Sequence, residues 1–204
     1  MRPLSKVYTA LIFVILYAPI AVMVLFSFNS INSTGVFAGF STYWYRELFR
    51  DGATLAALKN TLLLAVSSSL IATVIGTVAA VGIFKLKSRA AKSAIMTVTN
   101  IPMMNPDIVT GISMMLLFVF VCVRLAGAAS LSFATVLVAH ITFNLPYVIL
   151  SVMPKLRQMD RHLTEAALDL GCTPMQAFWK VELPSIMPGV VSGLIMAFTL
   201  SLDD

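Results

Sequence analysis

TLLLAVSSSLIATVIGTVAAVGIF, residues 61–84, decides the fold class. The run holds no charged residue and exceeds the roughly 20 apolar residues that carry an α-helix across the hydrocarbon of a bilayer. Its small residues Ser67, Ser68, Ser69, Gly76 and Gly82 would let a second helix approach closely. A membrane β-barrel needs short strands of alternating polarity, and this run is continuously apolar instead.

Outward from it lie blocks of the same kind, over about 7–28, 94–123, 132–152 and 188–204. The chain of 204 residues is 59% hydrophobic and only 11% charged, where a soluble domain carries about 25% charged residues. The reading is an all-α, polytopic transmembrane helical bundle, one membrane domain over residues 1–204. The start, Met1 to Lys6, is basic like a signal peptide, but the apolar run after it is long and has no small-residue cleavage site, so it predicts an uncleaved first span. Pro19 is expected to kink that span. The last block differs. Counted from Pro188, only about 16 residues remain, roughly 25 Å of helix against a crossing of about 30 Å. The sequence therefore predicts a C-terminally truncated chain that lacks the end of its fifth span and any span beyond it.

The net charge of +5 reflects loops and not nucleic-acid binding. With residues 85–92 and 153–184 on one side together with the N-terminus, that side collects ten of the Lys and Arg residues. The other side has four: Arg46, Arg50, Lys59 and Arg124. Basic loops stay in the cytoplasm, so the N-terminus and both of those segments are expected inside a plasma membrane. Cys122 and Cys172 form no disulfide framework, and neither has metal-ligand spacing with His140 or His162.

Some residues stand out against the apolar background. A short interfacial helix is expected over 41–49, where Tyr43, Trp44 and Tyr45 suit a membrane-interface belt; alternatively, Trp44 faces a transport path. The third span is interrupted at Pro102 and Pro106, which break the backbone ladder. Asn105 would cap the restarted helix. Asp107, in its first turn, would compensate the helix dipole or line a polar path, since acids inside a membrane are costly and usually functional. A lone His140 in the fourth span reads as a hydrogen-bonded packing residue.

The polar island EAALDLGCTPMQAFWKVELP, residues 165–184, separates the last two apolar blocks. Leu163, Ala166, Ala167 and Leu170 share one helical face. Gly171 stands where that helix would stop, in the left-handed region open to glycine. Thr173, Pro174 and Gln176 then start a second helix through a capping box with proline in its first turn. Leu183-Pro184 is expected to end it. A helix-turn-helix at a membrane surface offers a compact knob to a partner.

No Walker phosphate loop, dinucleotide fingerprint or metal cluster is visible. An enzyme is unsupported, and energy for uphill transport must come from an ion gradient or a partner. Ion-coupled transporters usually carry internal repeats and several intramembrane charges, and no convincing repeat is seen. A stand-alone ion-coupled transporter or channel, and a membrane scaffold, remain the alternatives.

The spacing of Glu165-Ala166-Ala167, Gly171 and Val181-Glu182-Leu183-Pro184 resembles the EAA loop of permease subunits of binding-protein-dependent ABC importers; Val181 stands where that pattern has Ile. Further matches lie at Asn105-Pro106-Asp107-Ile108-Val109, at His140 to Phe143 with Leu145-Pro146, and at Phe198 to Asp204. Together they resemble the second permease subunit of spermidine/putrescine importers. The resemblance implies a type I ABC-importer permease fold in a bacterial inner membrane, without its own ATPase site or any cofactor. The implied partners are two copies of an ATP-binding subunit, a second permease subunit, an external substrate-binding protein and membrane lipid. Glu165, Ala166, Ala167, Gly171, Leu183 and Pro184 would couple to the ATPase. A polyamine is a flexible polycation, and Trp44, Asp107, Asp203 and Asp204 are residue types that attract ammonium groups by charge and cation–π contact.

Overall fold

The computed structural model describes residues 3–104, 107–126 and 132–203. Asn105, Pro106, Asp204 and most of the loop expected after Arg124 lie outside the described residues, as does the side chain of Asp107. In order, the helices are α1 (Pro3–Phe26), α2 (Tyr43–Arg50), α3 (Gly52–Lys85), α4 (Arg89–Met104), α5 (Asp107–Ala126), α6 (Phe133–Gln158), α7 (Arg161–Asp169), α8 (Pro174–Ala177) and α9 (Leu183–Asp203). A π-helical turn, Phe178–Glu182, joins the last two. Contacts divide the chain into two compact units, Met1–Lys59 and Asn60–Asp204.

In the first unit α1 exposes apolar residues on every side, as a helix meant for lipid does. After it the chain folds back on itself around Asn29. The Asn29 amide donates to the carbonyls of Ser33 and Val36 at 2.9 and 2.7 Å, and its oxygen accepts from the Ala38 N–H at 2.9 Å. One side chain thus satisfies three backbone groups of a loop that has no ladder of its own. The isolated bridge between Asn29 and Phe40 closes the loop, and the Phe28 ring lies between those of Phe40 and Tyr45. The short helix expected over 41–49 is α2.

The second unit is built on small residues. The buried positions of α3 are Ala65, Ser68, Ser69, Ala72, Thr73, Gly76, Thr77, Ala80 and Ile83. They recur every three or four residues, so they form one stripe. The large side chains of the same helix, Leu63, Leu70, Val74 and Val78, point outward. Lipid is as apolar as leucine, so the helix gains nothing by burying leucine and gains close contact by burying glycine and alanine. Gly82, expected to pack, has open space around its Cα.

Close approach is tightest at two glycines. A Cβ on Gly76 would stand 2.7 Å from Val148 of α6, and one on Gly189 of α9 would stand 2.9 Å from the Ser151 carbonyl of α6. Between them Ile83, Val148, Val152, Leu156 and Ile186 fill the core. Above that core Ser201 of α9 receives the Asn144 amide of α6 at 2.7 Å and shares a hydrogen bond with Ser68 of α3 at 3.0 Å. One buried hydroxyl therefore joins three helices.

Pro102 does not break the third apolar block, since α4 runs through it to Met104; the interruption falls between α4 and α5, whose axes differ by 106°. The last span differs from expectation. Neither Leu183-Pro184 nor Pro188 is a boundary: helix runs without a break from Pro174 to Asp203. Pro184 lies within this continuous helix directly after the π-turn, whose wider winding accommodates a residue that cannot donate to the ladder. The π-turn before it adjusts the register without ending the helix. The 21 residues of α9 alone amount to about 32 Å, so this span is long enough to cross a bilayer, contrary to the count from Pro188.

Candidate functional site

α7, α8 and the π-turn form the knob expected from residues 165–184, and they pack on one another. Asp160 caps α7 by accepting from the His162 N–H at 3.0 Å. At its other end Gly171 has φ +86°. The Gly171 N–H bonds to the Leu168 carbonyl at 2.9 Å and the Cys172 N–H to the Ala167 carbonyl at 3.0 Å. This is the paired closure of a Schellman motif, which needs a residue in the left-handed region. Two residues later the Thr173 hydroxyl accepts from the Gln176 N–H at 3.3 Å, while the Gln176 side chain accepts from the Thr173 N–H at 3.0 Å. Both halves of the capping box are thus made, with Pro174 in first position.

The coupling residues expected from the sequence do not share one surface. Glu165 and Ala166 are exposed, with the Glu165 carboxylate 3.3 Å from His162 Nδ1. Gly171 and Pro184 are exposed as well. Ala167 is buried inside the knob, and Leu183 packs against the helical core. The apolar face of α7 is open, with Leu163 49% and Leu170 86% exposed. Met175 and Trp179 are exposed beside it in sequence. The spacing pattern does not single out Leu170, Met175 and Trp179, which the fold leaves exposed. A signal for them exists all the same: large apolar side chains within a polar segment too short to span.

Glu182, which the pattern likewise leaves without a role, is the buried acid of the knob, and its side chain is only 5% exposed. Lys85 at the end of α3 reaches both of its oxygens, at 3.1 and 2.9 Å. The same ammonium lies 6.0 Å from the centre of the Phe178 ring.

The residues considered for a substrate path fall in both units. Trp44 belongs to the first unit, where it is half-exposed and lines a cavity of about 380 Å³ with Ser27, Thr34, Tyr45 and Leu48. Tyr45 is held there by a 2.8 Å hydrogen bond with Ser27. In the second unit Asp107 begins α5, and Asp203 ends α9 with an exposed side chain. A second cavity, about 390 Å³, lies between α5 and α6. Met114, Met115, Phe118 and Phe143 dominate its wall, with Thr110, Thr135 and His140 as polar points.

Residues 72–204 match the family of binding-protein-dependent transport system inner membrane components. The putrescine transport system permease protein PotI of Escherichia coli K12 is 40% identical over 94% of this chain and 68% of its own length. The spermidine/putrescine transport system permease protein PotC of the same strain is 36% identical over the whole chain and 74% of that protein. Its Haemophilus influenzae counterpart is 35% identical over 98% of the chain and 76% of that protein. These relatives are transport permeases and not enzymes, which sets aside the stand-alone transporter and the scaffold. With its apolar helices and this match, the chain is a multi-pass permease subunit that belongs to the binding-protein-dependent ABC importer family.

Proposed function

We propose that the subunit moves a polyamine, or a small cation like it, inward by alternating access. An external binding protein delivers the solute, and a second permease subunit completes the path. Two copies of an ATP-binding subunit drive it by docking on the α7–α8 knob. In this reading the N-terminus and the knob are cytoplasmic, because the basic loops gather on that side. The observation that carries the docking is the knob itself. Its turns are closed by local hydrogen bonds, yet it leaves Leu163, Leu170, Met175 and Trp179 exposed around Glu165. Apolar side chains on a rigid polar segment outside the bilayer mark a protein interface. Because α8 continues into α9, a pull on the knob reaches the bundle without a flexible joint.

The solute class rests on the polyamine relatives and on the acids. Asp107, Asp203 and Asp204 supply negative charge in an apolar chain, and Trp44 supplies an aromatic face. Glu165→Ala and Gly171→Leu in the assembled importer should weaken capture of the ATP-binding subunit in co-purification, and intact capture and uptake would refute docking. Asp107→Asn and Asp203→Asn should lower putrescine uptake, and unchanged uptake and affinity would refute the cation path. A membrane-impermeant thiol reagent should reach a cysteine placed at Lys6 only after cells are opened.

A further inference from the structure

We propose that Lys85 and Glu182 form the joint that makes α9 follow the knob, so that the pair positions the bundle for energy coupling. This rests on the reading of the knob as the ATPase dock. The π-turn Phe178–Glu182 is where knob becomes span, and the Leu183 N–H closes it on the Phe178 carbonyl. A π-turn inserts one residue into the helical register and rotates the helix beyond it, and such turns gather at functional positions. Here the rotation brings Glu182 to the buried face of the helix. A buried carboxylate is tolerated only when paired, since taking its charge out of water is costly. Lys85 supplies the pairing with a hydrogen bond to one oxygen at 3.1 Å and a 2.9 Å ion-pair approach to the other, which forms no hydrogen bond. Its ammonium also faces the ring of Phe178, so one side chain holds the first and last residues of the turn.

The mechanical consequence comes from where the two ends belong. Lys85 is the last residue of α3, whose small-residue stripe is fixed against α6 at Gly76. Glu182 is on the rod that runs from the knob to Ser201. Without the pair, displacement of the knob could be absorbed by unwinding the π-turn. With it, the turn cannot unwind without exposing Glu182 unpaired, so the displacement passes into α9 and to the Ser201 node shared with Asn144 and Ser68. The pair is a positioning device and touches no solute.

The test uses the complete importer in proteoliposomes with putrescine, measuring uptake and ATP hydrolysis in the same sample. Glu182→Gln and Lys85→Met are expected to keep the ATP-binding subunit attached while uptake per ATP falls by about 2- to 30-fold, the span of coupling carried by intermediate residues. Lys85→Arg should keep most of the ratio, and Lys85→Glu combined with Glu182→Lys should recover part of it. An unchanged ratio in both single variants would overturn the proposal. So would equal falls in uptake and hydrolysis, or detachment of the ATP-binding subunit, because these describe a structural or docking residue. If Glu182→Gln does not accumulate in the membrane, Lys85→Met at its half-exposed position decides alone. Gly171→Leu separates the two readings: continued attachment in that variant sinks the dock whatever the pair does.

Discussion

The knob and the seam between α6 and α9 are neighbours in sequence and are built on opposite physics. The knob is held by local closures: a Schellman turn at Gly171, a capping box at Thr173 and Gln176, and an Asp160 cap. Its large apolar side chains are left outside. The seam is held by contact, with Gly189 and Gly193 against Ser151 and Val148 and a hydroxyl node at Ser201. A segment in water must satisfy its own backbone ends, whereas a segment in lipid has those ends far away and can gain only from fit. The knob can therefore be a rigid plug with an open face, and the seam a fitted surface with little freedom.

The comparison breaks first at the seam. Gly189→Ala places a methyl 2.9 Å from a backbone oxygen, and Gly76→Ala places one 2.7 Å from a packed valine. Each should destabilise the bundle by about 1–3 kcal/mol, the usual cost of overpacking. Gly193→Ala, with contacts no closer than 3.3 Å, should cost less, and Gly82→Ala should be neutral. Thermal unfolding in detergent would report the order, and equal midpoints for Gly189→Ala and Gly82→Ala would mean the seam is looser than its geometry.

In the knob the largest effect should come from Gly171→Ala. A non-glycine residue at φ +86° costs about 1–3 kcal/mol locally. Yet no side chain approaches Gly171, so the melting point of the bundle should hold while capture of the ATP-binding subunit weakens. Thr173→Ala removes one half of the capping box and should cost about 1 kcal/mol, with the same division between docking and bundle stability. If either variant unfolds the bundle, knob and seam are one cooperative unit.

The same division sets how much is legible in the sequence. Caps and turns are written in adjacent residues, so Gly171, Thr173, Pro174 and Gln176 can be read from spacing alone. The α3 stripe is partly legible, because serines and glycines in an apolar run suggest close packing, but Gly82 and Gly76 look alike until Val148 is seen beside only one of them. Proline misleads at positions 184 and 188, since both lie within one unbroken helix and the π-turn just before Pro184 can absorb strain that would end it. Lys85 and Glu182 lie 97 residues apart, and no local pattern joins them. The coupling residues share a spacing, and burial divides them: Glu165 faces out, while Ala167 and Leu183 hold the knob together and fix it to the core. The Asn29 loop is invisible for the same reason as the charge pair, being a matter of which carbonyls a single amide reaches.

Removing the buried node should cost less than crowding the seam. Ser201→Ala deletes the acceptor of Asn144 and the partner of Ser68 without changing fit. Interhelical hydrogen bonds in membranes average about 0.6 kcal/mol, so a small fall in unfolding temperature is expected, well below that of Gly189→Ala. A larger fall would make the node, and not the glycine contact, the main fastening of α9.

The smallest effect tests whether local closure matters on a long membrane helix as it does in the knob. Asp51 precedes α3 and holds its first turn, with the Thr54 hydroxyl donating to one carboxylate oxygen and the Ala53 N–H donating to the other at 3.1 Å. Those two donors, the hydroxyl foremost, hold the Asp51 carboxyl below its ordinary value. A lowered value in the folded state means the charged form is favoured by folding, so the contribution is present above the unfolded value of about 3.9 and fades as pH falls through the folded one. Asp51→Ala should therefore unfold slightly earlier than the parent at about pH 6, and the gap should narrow as pH falls below the unfolded value of about 3.9. With 34 residues in α3 and its fixed contacts near Gly76, the cap governs only fraying of the first turn. Hydrogen exchange at Ala53–Leu55 should register the change while exchange at Ala72–Ala80 does not, and a shift at both would show that even a long span depends on how its end is closed.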